Sequence, residues 1–184
     1  SNTGGGGNSK SKSKSTKTEI DWLERAMTRV GNKIDMFKSK LENLFTVDTK
    51  KNNIAEQLKL VEKEMSIADK QVSMYEKKAN KVKLSKKLKT AVQEGRVKGS
   101  LKSLIAKYGE KTANKIQTYQ NWYDKAQEAK KTREELITTQ RELQEQQYQL
   151  YVDDAQANID KLNAQKDISA GYTAQNQKLD DQIN

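Results

Sequence analysis

Apolar residues recur along much of this chain at alternating steps of three and four, the mark of helices that each bury one narrow stripe. Ile20, Leu23, Met27, Val30, Ile34, Phe37, Leu41 and Leu44 form a first seam. Ile54, Leu58, Val61, Met65, Ala68, Val72, Tyr75, Ala79 and Val82 form a second. Extending the first into the second would put Asp48 and Lys51 at core positions, so the phase breaks between them. Thr46-Val47-Asp48-Thr49, at the break, holds two good helix caps. Two arrangements fit: a turn that folds the second helix back on the first, or one continuous helix with a stutter. The turn gives a helical hairpin over 18–82, with helices near 18–45 and 50–82. Thr18, followed by Glu19 and Asp21, is expected to cap the first of them.

The period weakens over 83–109. Leu84, Leu88, Ala91 and Val92 suit a short helix ending near Gly95, and Leu101, Leu104, Ile105 and Tyr108 suit another ending on Gly109. A third long helix is expected over 110–165. It opens with Ile116, Tyr119, Tyr123 and Ala126; Leu136, Leu143 and Leu150 then alternate with Gln140 and Gln147. A seam half made of glutamine is weak, so it needs another helix or a partner chain. Residues 1–17, filled with Gly, Ser, Asn, Thr and Lys, have nothing to bury and read as a flexible tether. Residues 166–184 read as a polar tail with Gly171 as a breaker. The predicted class is all-α: long helices as a hairpin or coiled coil, a short-helix connector, and a third long helix after a disordered tether.

Composition explains why the stripes are thin. Of 184 residues, 33% are apolar and 33% charged, too few apolar groups for a multi-layer core. Proline is absent, so no helix is covalently interrupted. Cysteine and histidine are absent too, which removes thiol chemistry, the commonest general base and the commonest transition-metal ligand. The Gly4–Gly7 run lacks the strand and the lysine-threonine pair of a phosphate loop. Glu134/Glu135 and Asp153/Asp154 are adjacent on helices and point apart. The segment is therefore expected to carry no catalytic residue, no metal and no cofactor. No apolar run approaches the ~18 residues of a membrane span. Beginning on Ser1 without an apolar signal core, the chain reads as an excised or processed piece of a longer polypeptide.

Charge is unevenly spread. The whole chain is +10, whereas 77–115 holds 13 Lys/Arg against only Glu94 and Glu110. Lys83, Lys86, Lys87, Lys89, Arg96 and Lys98 are the candidate contacts to a polyanion or an acidic protein surface. Lysine outnumbers arginine and only Tyr108 offers a stacking ring, so any nucleic-acid binding is expected to be nonspecific. Tyr119, Trp122 and Tyr123 form the densest aromatic group. With Trp22, which lies off the first seam, they are the candidate packing or partner-docking anchors.

Three stretches carry a family resemblance: TEIDWLER at 18–25, YEKKANKVKL at 75–84 and KIQTYQNWYDKA at 115–126. In this order and spacing they resemble a helical segment of tail tape measure proteins from phages and prophages of low-GC Gram-positive bacteria. The resemblance spans about 18–162. It departs over 95–109, where such proteins tend to be more acidic and this chain is rich in lysine. The resemblance implies a non-enzymatic segment of a phage tail protein that lies along the tail tube, sets its length during assembly and leaves ahead of the DNA. Its setting would be the virion tail, assembled in the bacterial cytoplasm. Partners would be tail tube or tail assembly proteins, other parts of the same tail protein, or further copies joined through the heptad seams. A bacterial coiled-coil scaffold or adaptor, and a helical protein that binds nucleic acid nonspecifically, are the other classes the residues admit.

Overall fold

A computed structural model describes residues 4–183, with side chains from Lys17 onward. The fold is all-α, with no strand among the described residues. Its helices are α1 (Gly4–Leu41), α2 (Val47–Lys81), α3 (Lys86–Gln93), α4 (Leu101–Tyr108) and α5 (Glu110–Ile183).

The breaks between helices fall where local chemistry ends one and starts the next. Thr46 caps α2: its Oγ1 accepts from the Thr49 backbone N–H at 3.2 Å, and Thr49 Oγ1 donates back to the Thr46 carbonyl. Ser85 and Ser100 cap α3 and α4 in the same way. Gly95, at φ 73°, takes the left-handed step that ends α3. The Arg96 N–H then reaches the Ala91 carbonyl and the Gly95 N–H that of Val92, a pairing that satisfies the last carbonyls of the helix.

Both α1 and α5 pack against α2. Tyr75 meets Glu24 while Asn53 meets Phe37, so α1 runs opposite to α2. Lys51 pairs with Asp154 and Glu76 with Lys130, so α5 runs opposite to α2 as well. The core at this level joins Leu23, Val30 and Ile34 of α1, Ile54, Val61 and Ala68 of α2, and Leu136 and Leu143 of α5. The half-glutamine seam of α5 is thus covered within the chain: Leu136 and Leu143 are buried on α2, and Gln140, Gln147 and Leu150 are half-buried.

A second face of α2 escaped the hydrophobic pattern because it is half polar. Asn53, Gln57, Leu60, Glu64, Ile67, Gln71 and Met74 also step by four and three, and Asn53, Gln57 and Glu64 are buried. Asn53 Nδ2 donates to the Phe37 carbonyl at 2.9 Å, and Gln57 Nε2 donates to Asn53 Oδ1 at 2.7 Å. Gln57 Oε1 has no partner among the described residues, a local cost in a buried seam. Glu64 fits because Gly31 has no side chain: a Cβ there would stand 3.1 Å from Glu64 Oε1. Burial pushes the Glu64 carboxyl above its ordinary value; Asp35 adds to the shift and Lys38 opposes it.

Three sequence expectations need correction. Thr18 does not cap the first helix; α1 passes through it from Gly4, inside the stretch expected as a tether. Residues 1–3 lie outside the described residues. Gly171 does not break α5, which continues through the expected polar tail to Ile183; Asn184 lies outside the described residues. The first helix ends at Leu41, short of the expected boundary near 45. Without proline, each added residue of a formed helix gains one backbone hydrogen bond. Along the end of α5, Gln156 to Asp160 and Gln177 to Asp181 add side-chain bonds at i,i+4 spacing.

Two outcomes follow from the polar seam. Asn53→Ala leaves the Gln57 amide unpaired and should destabilise the fold by about 1–3 kcal/mol, read from the urea midpoint. Glu64 is harder to ionise folded than unfolded. It therefore lowers stability as pH rises through its ordinary value toward the raised one. Glu64→Gln should raise the urea midpoint at about pH 7 and leave it nearly unchanged at about pH 4.

Candidate functional site: an aromatic junction and a basic head

Where the pair α1–α2 meets the start of α5, Ile20, Tyr75, Ala126 and Ala129 bury together with Trp122 against them. Tyr75 lies on the α2 seam and Trp122 on the first turns of α5, so antiparallel packing brings their rings to 6.1 Å in a stacked arrangement. Lys125 Nζ lies over both rings, 5.8 Å from Tyr75 and 5.3 Å from Trp122. Tyr75 Oη donates to Glu24 Oε1 at 3.5 Å. Burial, followed by the Glu24 charge and hydrogen bond and the Glu128 charge, pushes the Tyr75 phenol above its ordinary value.

One turn earlier, Tyr119 is 2% exposed and its Oη accepts from Gln93 Nε2 at 2.6 Å, which ties α3 to α5. Tyr123 stacks on Tyr119 at 6.1 Å. The Tyr119, Trp122 and Tyr123 side chains therefore act as anchors inside the chain. Trp22 does not join them; it stands 58% exposed on α1. Gln93 and Glu24 gave no sequence signal, since nothing in their spacing distinguishes a polar partner of a buried phenol from a solvated residue.

Beyond the junction, α3, α4 and the start of α5 close a small core of Ala91, Val92, Val97, Leu104, Ala113, Ile116 and Tyr119 over Ala79. The cations of 77–115 stud this head. Lys83, Lys86, Lys87 and Lys98 are exposed and join none of the ion pairs among the described residues. The other two candidates are engaged locally. Lys89 donates to the Asn80 carbonyl and lies 5.6 Å over the Tyr119 ring; Arg96 pairs with Glu94 at 2.7 Å. The structure thus gathers the candidate cations onto one end of the molecule and leaves four of the six free.

The packing leaves open grooves. One, of about 430 Å³, lies between Leu41, Leu44, Ile54 and Leu150 at the far end of α1–α2. Among the described residues no group of three acidic side chains is placed to hold a metal ion, and no helix is long and apolar enough to cross a membrane.

Tyr119→Phe removes the bond from Gln93 and should cost about 1 kcal/mol. Tyr148→Phe, on the 70% exposed face of α5, should leave the urea midpoint unchanged. No protein family matches this chain, and no curated protein or solved structure matches it either.

Proposed function

We propose that this chain is a structural segment of a phage tail tape measure protein, acting in tail assembly and length determination without catalysis. One observation carries the reading: the three stretches that bear the resemblance meet at a single junction. Ile20 and Glu24 from the first, Tyr75 from the second, and Trp122 and Ala126 from the third are packed or hydrogen-bonded together. In this reading 18–82 acts as a helical hairpin with coiled-coil packing and α5 as the measuring rod. At 1.5 Å per residue its 74 residues span about 110 Å. The setting is the virion tail, with tube and assembly proteins as neighbours. Thin seams and an absence of proline suit a rod that must later leave a narrow tube.

The test is a length measurement. In a tail-forming system that carries this reading frame, deletion of 155–182 removes four heptads and keeps the register of α5. Tails should shorten by about 40 Å in electron micrographs. Tails of unchanged length, with the truncated protein incorporated, would reject the assignment.

A further inference from the structure

Net positive charge lies in the head and in residues 1–17, which hold four lysines and no acid. Residues 77–115 sum to +11, against +10 for the whole chain, so everything else sums to −1. Six of the twelve carboxylates in 116–184 form one stripe. On α5, Glu128, Glu135 and Glu142 recur every seven residues, and after one step of eleven Asp153, Asp160 and Asp167 do the same. A helix of 3.6 residues per turn sets all six within an arc of about 60°, over about 60 Å of length. All six are exposed, and none joins an ion pair among the described residues. Gln149 and Gln156 donate to Asp153 and Asp160, which holds those two carboxylates along the helix. Lys131 is the one cation that the same geometry places in this arc between the first and last carboxylate.

From these two surfaces we infer that copies of this chain associate head to stripe, the lysines of one head lying along the α5 carboxylates of a second copy. The two surfaces cannot satisfy each other within one chain. The head is built on the first turns of α5, and the centre of the stripe lies about 50 Å further along the same helix. Since they do not overlap, one copy can use both at once. Such a contact closes where the geometry lets two copies reciprocate or a ring form, and otherwise propagates as a chain of molecules. A nucleic acid is the competing occupant of the head. The head fits it less well: Arg96 is its one guanidinium and is already paired with Glu94, and Tyr108, the one ring in the basic stretch, is half-buried with Lys107 over it. Lysine ammonium groups facing carboxylates need no such planar geometry. The inference stands apart from the tail assignment, since it uses only charges and their placement.

The experiment is sedimentation velocity on the full chain at about 20 mM and about 300 mM salt, where the screening length falls from about 20 Å to about 6 Å. At low salt the mass should grow with concentration beyond the monomer, and at high salt the chain should sediment as a monomer. One variant reverses the head (Lys83→Glu, Lys86→Glu, Lys87→Glu) and another reverses the stripe (Glu135→Lys, Glu142→Lys, Asp153→Lys). Each alone should lose association by roughly tenfold or more, since several exposed pairs turn repulsive together. An equimolar mixture of the two should regain it, because each then offers what the other lacks. Circular dichroism on each variant checks that the helices persist. A monomer at low salt would overturn the inference. So would association that strengthens with salt, association that survives head reversal, or growth of wild-type complexes only when duplex DNA is added.

Discussion

The whole arrangement depends on α2 being buried along two seams at once. α1 and α5 both lie along it, and each helix supplies too narrow a stripe to form a core alone. Val61 and Ala68, at 0% exposure, are the points where burial is complete. A helix with two neighbours needs apolar or satisfied residues over a wider arc than a two-stranded seam provides. Here the additional arc is filled by Asn53, Gln57 and Glu64, with Gly31 making room for the last. Packing is therefore tight but not dry, and the Asn53 bond to the Phe37 carbonyl fixes how far along α2 the end of α1 can sit.

That register then determines the rest. With α1 and α5 both held antiparallel to α2, Glu24, Tyr75 and Trp122 arrive at the same level, and the aromatic junction forms there. The junction in turn sets the base from which α3 and α4 fold over the start of α5, with Gln93 and Tyr119 as the tie. The lysine-rich head is possible because its core draws apolar side chains from four elements, which leaves the outer surface free for charge. Repulsion among those lysines is a continuous load on the head. Short helices that each begin on a serine cap and end on glycine can bear it, because Lys86, Lys87, Lys102 and Lys107 are exposed to solvent.

The all-α class, the places where helices start and stop between 46 and 110, and both main seams were legible because they depend on local chemistry and on spacing. Thr46, Gly95 and Gly109 act in the structure as their residue types suggest. The second face of α2 was not legible, since Asn53, Gln57 and Glu64 read as a solvated flank until a neighbour is known. The same holds for Gln140 and Gln147, whose burial follows from α5 folding back rather than from their own polarity. Of the candidate anchors, Tyr119, Trp122 and Tyr123 stood out as a dense aromatic run, but Tyr75 as the partner of Trp122 required the antiparallel register. Trp22, the candidate off the seam, packs into no core within the chain and lies exposed on α1.

The end of α5 separates what packing contributes from what the helix contributes by itself. From 155 to 183 every described residue is exposed, so no tertiary burial holds this stretch. Ile168, Tyr172, Leu179 and Ile183 nevertheless fall, at 3.6 residues per turn, on the face that Leu136, Leu143 and Leu150 turn toward α2. The seam therefore continues in direction after its partner has ended, across a polar interval that includes Asp154 and Lys161. Helices without tertiary support are marginal in water even over many turns. Local terms, chiefly glutamine-to-aspartate bonds such as Gln177 to Asp181, are then all that favour the helical state there. The core-bearing part of α5 and its outer part share one backbone but differ in what stabilises them. Unfolding of the outer part is accordingly uncoupled from that of the bundle, and it can proceed while the junction at Trp122 stays closed.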